Sequence, residues 1–287
     1  MKILILGSSG FLGKYIYKTL KKKYSIYHNG INLKKHNLLD KKNLFRLIYQ
    51  SKPHLLINLS GITNIDECEN KEKLSKRINV HLIQDIFAVK KKLNMKFKLI
   101  HFSTDQIYNP KKNIKNKENM NFKSINVYSK HKKEAEKICI RNNSLVFRTN
   151  LIGKSLSKKE SFTDWIENNL RLKKKIFGFT DSFYSPLSVM TISEIMLKLI
   201  NSKKYNENGI YNLGSSDGIS KYELISKFTK KLKIFDKNLI KKGYINDFCK
   251  TPRTKFNRMN INKFEKKFKI LMPSIKSEIY KVARYYE

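Results

Sequence analysis

Cysteine is scarce in this chain. Only 3 of its 287 residues are cysteine, Cys68, Cys139 and Cys249, and they form no C-x-x-C pair. An odd number of widely spaced thiols gives no support to a disulfide framework or a zinc ribbon. The six histidines show no metal-ligand spacing either, so no metal site is predicted. The cysteines are expected to be reduced thiols of a cytoplasmic protein.

Long apolar runs are also missing. No stretch approaches the roughly 18 apolar residues that a membrane-spanning helix needs. The apolar run near the N-terminus, residues 2–6, ends at Gly7 instead of leading to a signal-peptide cleavage site. The sequence therefore predicts no membrane span, no secretion signal and a cytoplasmic location.

Acidic residues are few, with 23 Asp and Glu against 61 Lys and Arg, for a formal net charge of +38. Proteins that bind nucleic acid usually gather their basic residues on one face, and arginine reads bases best. In this chain the lysines are scattered from end to end and arginine is scarce. No nucleic-acid partner is expected, but a positive field attracts anionic ligands such as dinucleotides and nucleotide sugars.

Hydrophobic patterning alternates between short apolar runs and longer segments with helical spacing. Strands are predicted at 2–6, 25–27, 55–59, 97–102 and 145–148. Helices are predicted at 11–20, 42–50, 74–92 and 127–141. Alternation of this kind predicts an α/β fold built on a doubly wound parallel (Rossmann) sheet with helices on both faces.

The pattern is less regular beyond residue 150. Helices are predicted at 161–172 and 191–201, with a strand at 210–213. Two helix starts are marked by the capping boxes Thr191-x-x-Glu194 and Ser220-x-x-Glu223.

We expect two domains. Residues 1–150 would form a nucleotide-binding domain, to which later segments near 188–215 return. Residues 151–287 would form mainly a smaller C-terminal α/β lobe that binds the substrate.

A glycine loop joins the first strand to the first helix. Gly7, Gly10 and Gly13 are spaced G-x-x-G-x-x-G, with Ser9, Phe11 and Leu12 between them. Glycines permit a tight turn and a close backbone approach to a pyrophosphate, and the helix start favours that anion. The alternative is a plain cluster of turn glycines, but the strand–turn–helix context favours dinucleotide binding.

The choice of dinucleotide stays open between NADPH and NADH. The second predicted strand ends at Tyr27-His28-Asn29, without the acid that binds the ribose of NAD. Lys34 and Lys35 follow and could contact a 2′-phosphate, which favours NADPH. The indication is weak because lysines occur throughout the chain.

Tyr128 and Lys132 lie four residues apart on a predicted helix and therefore share one face. An ammonium beside a phenol favours the phenolate, so such a tyrosine can exchange a proton near neutral pH. The spacing alone is common, because Tyr17 and Lys21 also have it. Its setting distinguishes the pair: Thr104 follows a core strand, where ligands bind in open α/β sheets, and could donate a hydrogen bond to a substrate oxygen.

The order of the glycine loop, Ser-Thr-Asp after a strand and Tyr-Ser-Lys-His-Lys on a helix resembles the extended short-chain dehydrogenase/reductase family. It is most similar to the RmlD-like branch, the dTDP-4-dehydrorhamnose reductases. Further matching segments are Asn58–Asp66, Ile78-Asn79, Asn126–Tyr128, Phe147–Asn150, Tyr211–Gly214, Ser220 with Glu223, and Pro252–Asn260 with Lys263 and Phe264.

The resemblance implies reduction of a 4-keto-6-deoxy nucleotide sugar by NAD(P)H, for surface polysaccharide synthesis. Tyr128 would supply the proton, Lys132 would tune Tyr128 and hold the nicotinamide ribose, and Thr104 would polarise the carbonyl. The implied cofactor-binding residues are Gly7, Ser9, Gly10, Phe11, Leu12, Gly13, Asn37, Leu38, Ser60, Gly61, Thr63, Tyr128 and Lys132. The implied substrate-binding residues are Thr104, Asp105, Asn150 and Arg258, with Arg258 as the anion contact.

Some residues depart from the branch and leave alternatives open. Gln106 stands where the branch usually has a tyrosine, and Asn37 replaces the acid of an adenine-binding Asp-Leu pair. A non-catalytic dinucleotide-binding regulatory subunit, or another nucleotide-sugar reductase or epimerase, would fit the same fold. A homodimer is a further open expectation. His101, inside an apolar strand, is expected to be a satisfied core histidine.

Overall fold

The computed structural model describes residues 1–28 and 37–287. The strands are β1 Lys2–Leu6, β2 Ser25–His28, β3 Leu55–Asn58, β4 Lys98–Thr104, β5 Leu145–Thr149, β6 Leu151–Ile152, β7 Ile176–Phe179, β8 Phe183–Tyr184, β9 Leu187–Ser188, β10 Gly209–Leu213, β11 Ile219–Ser220, β12 Ile240–Gly243 and β13 Phe256–Asn257. The α-helices are α1 Phe11–Leu20, α2 Lys41–Ser51, α3 Ile65–Asn70, α4 Glu72–Lys76, α5 Leu82–Lys92, α6 Val127–Arg141, α7 Phe162–Arg171, α8 Val189–Asn201, α9 Lys221–Lys231, α10 Ile245–Phe248, α11 Asn262–Phe268 and α12 Ile275–Ala283. A π-helix spans Arg77–His81, and 3₁₀ turns span Asp105–Ile107 and Lys204–Asn206.

The main sheet has six strands in the order β10-β5-β4-β3-β1-β2. Strand β1 pairs in parallel with β2 and β3, and β3 pairs in parallel with β4. Crossover order with parallel pairing is the topology of a doubly wound sheet, because each crossover needs a helix. The predicted α/β fold with a parallel Rossmann sheet is confirmed.

Burial explains why the strands are almost wholly apolar. Every residue of β3 is buried, as are the last four residues of β1. A parallel sheet is covered by helices on both faces, so its strands read as continuous hydrophobic runs instead of alternating. Leu44, Ile48, Ile83 and Ile86 from the helices pack on Leu4 and the neighbouring sheet residues in one core cluster.

The chain divides into two compact units. The first consists of Met1–Ser103, Asn126–Phe147 and Ser193–Tyr211, and the second of Thr104–Ile125, Arg148–Ile192 and Asn212–Glu287. The second unit contains small sheets in the orders β11-β8-β13, β12-β7 and β6-β9. We refer to these as the first and second unit; their assignment to cofactor and substrate stays a prediction.

One of the two capping boxes is real and the other is not. Ser220 caps α9 as predicted: its Oγ accepts from the Glu223 N–H at 3.2 Å, and Glu223 Oε2 accepts from the Ser220 N–H at 2.9 Å. The predicted helix start at Thr191 is wrong, because α8 begins at Val189. Thr191 lies inside that helix, and its hydroxyl donates to the buried carboxylate of Glu278 at 2.7 Å. The Thr191 side chain, which the local pattern predicted to cap a helix, forms a tertiary hydrogen bond instead.

Within residues 1–28 and 37–287, no helix is long and apolar enough to cross a membrane.

Candidate active site

The glycine loop is shaped by positions that cannot carry a side chain. Gly7 has φ +81°, and a Cβ there would lie 2.8 Å from the backbone carbon of Leu59. A Cβ on Gly13 would lie 2.1 Å from the Gly7 carbonyl oxygen. The Gly10 N–H donates to that same oxygen at 3.1 Å, which closes the turn. The loop is therefore held tightly against the start of α1.

The start of α1 offers its N-terminal N–H groups to a ligand. Gly10 is the N-cap and supplies no side-chain cap, and Phe11 and Leu12 form the first turn. Leu12 is buried, whereas Ser9 and Phe11 are half-buried. Because a helix start carries a partial positive charge, this geometry favours an anion such as a pyrophosphate.

Asn37 and Leu38 lie where the described chain resumes. The side-chain oxygen of Asn37 accepts from the Leu39 N–H at 2.9 Å, so that oxygen is used in a local turn. Leu38 packs against the core cluster of the first unit. Lys34 and Lys35, the candidates for a 2′-phosphate, lie outside the described residues.

The loop after β3 is fixed by an asparagine on the π-helix. Asn79 accepts from the Ile62 N–H and donates to the Ile62 carbonyl, each at 3.0 Å. A Cβ on Gly61 would lie 2.8 Å from the Asn79 side-chain oxygen, so any other residue there would displace the Asn79 amide. A single helix was predicted over 74–92, but the chain forms α4, the π-helix and α5, and such π-bulges often occur at functional sites.

These residues fit a dinucleotide. No side chain fits at Gly7 or Gly13, and the Oγ of Ser60 is buried with no hydrogen-bond partner among the described residues. A buried hydroxyl without a partner is costly unless a ligand satisfies it. Gly61 and Thr63, next along the same loop, are both exposed.

Helix α6 carries the predicted tyrosine and lysine, and two side chains fix its start. Asn126 Oδ1 accepts from the Ser129 N–H, and Glu69 Oε1 accepts from the Val127 N–H, both at 2.8 Å. N-caps of this kind satisfy donors that the first turn leaves unpaired. Tyr128 is only 6% exposed and packs with Ile65 and Cys68.

Lys132 is buried in the first unit, with 5% of its surface exposed. Its Nζ donates to the Phe102 carbonyl at 2.6 Å and lies 3.2 Å from His101 Nε2. Burial lowers the pKa of Lys132 from 10.5 to about 8, and the nearby Glu136 carboxylate offsets part of that effect. The lysine can therefore gain or lose a proton close to neutral pH.

His101 takes part in this arrangement, which the sequence did not reveal. It is buried, and burial followed by the charge of Lys132 lowers its pKa well below 6.5. Its Nδ1 lies 3.3 Å from Nδ2 of Asn58, the residue opposite it in the register of β3 and β4. A histidine inside an apolar strand gave no sign that its partner would be Lys132.

In the second unit, Thr104, Asp105 and Asn150 come together. Asn150 Nδ2 donates to Asp105 Oδ2 at 2.9 Å, and Thr104 Oγ1 donates to Asp105 Oδ1 at 3.4 Å. Burial raises the pKa of Asp105 to about 6, and the hydrogen bonds from Asn150 and Gln106 oppose that rise. Three of the four predicted substrate-binding residues thus form one cluster around a buried carboxyl.

Gln106 and Tyr108 have different roles. Gln106 Nε2 donates to Asp105 at 3.4 Å, and its Oε1 accepts from Thr254 at 3.1 Å, so it belongs to the Asp105 cluster. Tyr108 is fully buried; its hydroxyl donates to Asn212 at 2.7 Å and accepts from Arg148 at 2.8 Å. Tyr108 is therefore part of the packing of the second unit.

Two positive side chains of the second unit, Arg258 and Lys221, lie in different surroundings. Arg258, the predicted anion contact, donates from Nη2 to the Asn113 carbonyl at 2.8 Å and packs on Gly218. Lys221, which the sequence did not single out, lies in the electrostatic field of Asp105. Burial and the charge of Arg253 both lower the pKa of Lys221. Lys221 therefore places a positive charge close to the Asp105 cluster.

The three predicted catalytic residues are divided between the units. Tyr128 and Lys132 belong to the first and Thr104 to the second. Their convergence on one substrate stays a prediction. In the part of the chain that the structure describes, no group of three or more His, Cys, Asp or Glu side chains could hold a metal ion.

The chain is similar to several known proteins. The family model described as the RmlD substrate binding domain matches residues 1–287. The chain is 24% identical over 230 residues to a dTDP-4-dehydrorhamnose reductase of Aggregatibacter actinomycetemcomitans, covering 77% of this chain and 76% of that protein. It is 23% identical over 235 residues to a methionine adenosyltransferase 2 subunit beta of Xenopus laevis, covering 78% of this chain and 70% of that protein.

A solved structure shares the fold. It is the dTDP-4-dehydrorhamnose reductase of Bacillus anthracis in complex with NADP, which superimposes with a TM-score of 0.88 at 20% identity. The match covers 99% of this chain and 100% of that one.

Proposed function

We propose that this chain, which belongs to the RmlD substrate binding domain family, is an NAD(P)H-dependent reductase of a 4-keto-6-deoxy nucleotide sugar. The observation that carries the proposal is the buried Lys132, whose pKa is lowered to about 8, four residues after Tyr128 on α6. A sugar such as dTDP-4-dehydrorhamnose, and a role in surface polysaccharide synthesis in the cytoplasm, fit this activity. A homodimer stays a separate prediction.

The cofactor, when bound, supplies the hydride. The glycine loop would bind the pyrophosphate of the cofactor, and the buried Ser60 hydroxyl would form a hydrogen bond with the cofactor. The NADP in the Bacillus anthracis structure supports NADPH as the first cofactor to test, with NADH as the second.

The chain's own residues would move the proton and orient the sugar. Tyr128 would donate from its phenolic oxygen to the carbonyl oxygen as that oxygen gains charge. Lys132 would favour the resulting phenolate, since a nearby ammonium stabilises it. Thr104 would turn its hydroxyl hydrogen from Asp105 Oδ1 to the same carbonyl oxygen, and Asp105 with Asn150 would orient the sugar.

The similarity to a methionine adenosyltransferase subunit favours a second candidate, a dinucleotide-binding regulatory subunit without turnover of its own. The two differ in one measurable property. A reductase consumes NADPH only with its sugar and needs Tyr128, whereas a regulatory subunit binds NADPH and shows no such dependence. An epimerase would convert the sugar without net loss of NADPH.

The test mixes the purified chain with NADPH and dTDP-4-keto-L-rhamnose and follows the absorbance of the reduced nicotinamide. We expect turnover in the wild type and a loss of at least about 100-fold in Tyr128→Phe, the scale of general acid catalysis. Tyr17→Phe is the matched control, because Tyr17 also has a lysine four residues on, here with Lys21 Nζ 5.3 Å from its ring centre. Unchanged absorbance across a panel of keto nucleotide sugars would refute the reductase.

A further inference from the structure

A line of four polar groups runs from the loop after β3 to Lys132 within the first unit. The Ser60 N–H donates to Asn58 Oδ1 at 3.1 Å, and Asn58 Nδ2 lies 3.3 Å from His101 Nδ1. His101 Nε2 then lies 3.2 Å from Lys132 Nζ. Asn58, His101 and Lys132 are all buried.

The direction of every bond in this line follows from its first donor. A backbone N–H can only donate, so the Asn58 oxygen must face Ser60 and its NH₂ group must face His101. An amide nitrogen also only donates, and His101 Nδ1 must therefore accept. A neutral imidazole that accepts at Nδ1 carries its proton on Nε2, and that N–H points at Lys132.

This geometry distinguishes the two protonation states of the lysine. An ammonium has three donors and no acceptor, whereas a neutral amine has a lone pair. One Lys132 hydrogen is already used by the Phe102 carbonyl at 2.6 Å. The His101 Nε2–H can therefore donate to the lone pair of a neutral Lys132 amine. The Lys132 ammonium offers it no acceptor and repels it.

We propose that His101 is a positioning residue for Lys132: its Nε2–H tautomer, fixed by Asn58, favours the neutral amine and so sets the pH at which the Tyr128–Lys132 pair changes protonation. The catalytic consequence of this tautomer rests on the proposed function. His101 is not a proton relay, because its Nδ1 is occupied by the hydrogen it accepts from Asn58.

Other groups around Lys132 do not replace this effect. Glu136 and Cys139 face it from α6 and Cys68 from α3, while Tyr128 lies one turn earlier on α6. Glu136 favours the ammonium and so acts against His101. Burial raises the pKa of Cys139 to about 12 and also raises that of Cys68, so both thiols stay neutral near pH 7.

The tautomer can be read without substrate or cofactor. In the full chain labelled with ¹⁵N-histidine, long-range ¹H–¹⁵N spectra separate the Nε2–H, Nδ1–H and imidazolium forms, and His101→Gln identifies the signal. We expect the Nε2–H form, unchanged between about pH 6 and 9, where an ordinary histidine would titrate. An Nδ1–H form, or an imidazolium in that range, would overturn the proposal.

A reversal of the hydrogen-bond polarity tests the consequence. In Asn58→Asp the carboxylate accepts from both Ser60 and His101, which moves the imidazole proton to Nδ1 and makes Nε2 an acceptor for the Lys132 ammonium. In His101→Gln the amide oxygen can turn toward Lys132 and favour the ammonium without an added charge. We expect the alkaline limb of kcat against pH to move upward by about one unit in both.

His131→Gln is the matched control. His131 is an equally buried histidine on α6, but its Nδ1 lies 2.9 Å from Ser75 Oγ and not beside Lys132. Its pH profile should keep the wild-type position, and melting curves would ensure that each variant is folded. Limbs that coincide with wild type in both Asn58→Asp and His101→Gln would overturn the proposal in an active enzyme. If no keto sugar is reduced but the Nε2–H form is observed, the proposed function fails while the tautomer stands.

Discussion

Asn79 and Ile62 exchange two hydrogen bonds, each 3.0 Å long, between a π-helix and the loop that carries Ser60 and Gly61. Asn79 Nδ2 also donates to Ser75 Oγ at 3.2 Å, which holds the amide in one orientation. The loop is thus pinned by a side chain whose register depends on the extra residue of the π-turn. A regular α-helix would place Asn79 at a different angle.

Asn79→Asp should weaken this attachment. The carboxylate still accepts from the Ile62 N–H, but it repels the Ile62 carbonyl and is buried. We expect the free energy of unfolding to fall by about 1–3 kcal/mol, the cost of an unpaired buried polar group. NADPH affinity should fall as well. Urea unfolding and nicotinamide fluorescence measure the two effects, and Asn70→Asp, an exposed asparagine at the end of α3, should change neither.

Gly13→Ala and Gly10→Ala form a matched pair in the glycine loop. The new methyl would lie 2.1 Å from the Gly7 carbonyl oxygen in Gly13→Ala but 3.3 Å from it in Gly10→Ala. The first contact forces the backbone to move, whereas the second requires a shift of a few tenths of an ångström. We expect NADPH binding to fall by at least about tenfold in Gly13→Ala, more than 1.4 kcal/mol. Equal losses in the two variants would contradict this account of the loop.

Local signals explain what the sequence could predict. Helix α6 spans Val127–Arg141 as predicted, because its apolar spacing and its Asn126 N-cap act within the same segment. The strands of the parallel sheet were found because burial on both faces makes them continuous apolar runs.

Long-range contacts explain what it could not. The contact between His101 and Lys132 joins residues 31 positions apart, and the hydroxyl of Thr191 reaches Glu278 across 87 positions. The hydrophobic periodicity within a segment gives no information about either of these two contacts. The capping box at Thr191 was wrong for this reason, whereas the box at Ser220 met no such competitor. Tyr108, close to the position where a tyrosine was expected, is held by Arg148 and Asn212.

Lys132→Met should stabilise the chain at neutral pH. Because burial lowers the pKa of Lys132 from 10.5 to about 8, the unfolded state binds more protons between these pH values. The buried charge of Lys132 therefore lowers the wild-type free energy of unfolding by its full amount below about pH 8. This loss becomes smaller as the pH rises toward 10.5. We expect Lys132→Met to be more stable by about 1–3 kcal/mol at pH 7, since an apolar side chain avoids burying a charge.

In urea unfolding, the difference in free energy of unfolding between Lys132→Met and wild type should decrease between pH 8 and pH 9.5. Lys130→Met changes an exposed lysine on the same helix and should stay within about 0.5 kcal/mol of wild type at every pH. A constant difference across the range would mean that the lysine is charged in the fold throughout.

Asp105→Asn should remove a pH dependence from substrate binding. Because burial raises the pKa of Asp105 to about 6, its carboxyl is mostly neutral at pH 5 and mostly charged at pH 7.5. The charged form offsets part of the positive charge of Lys221, which an anionic nucleotide sugar would use. In wild type we therefore expect KM for the sugar to rise by about twofold to fivefold from pH 5 to pH 7.5, the scale of a partly screened charge pair. In Asp105→Asn that rise should be absent, because the amide stays neutral across the range.

Steady-state kinetics at saturating NADPH measure KM for the sugar in both proteins. A rise that persists in the variant would have to come from another group, since the ionisation of Asp105 would then have no effect on binding.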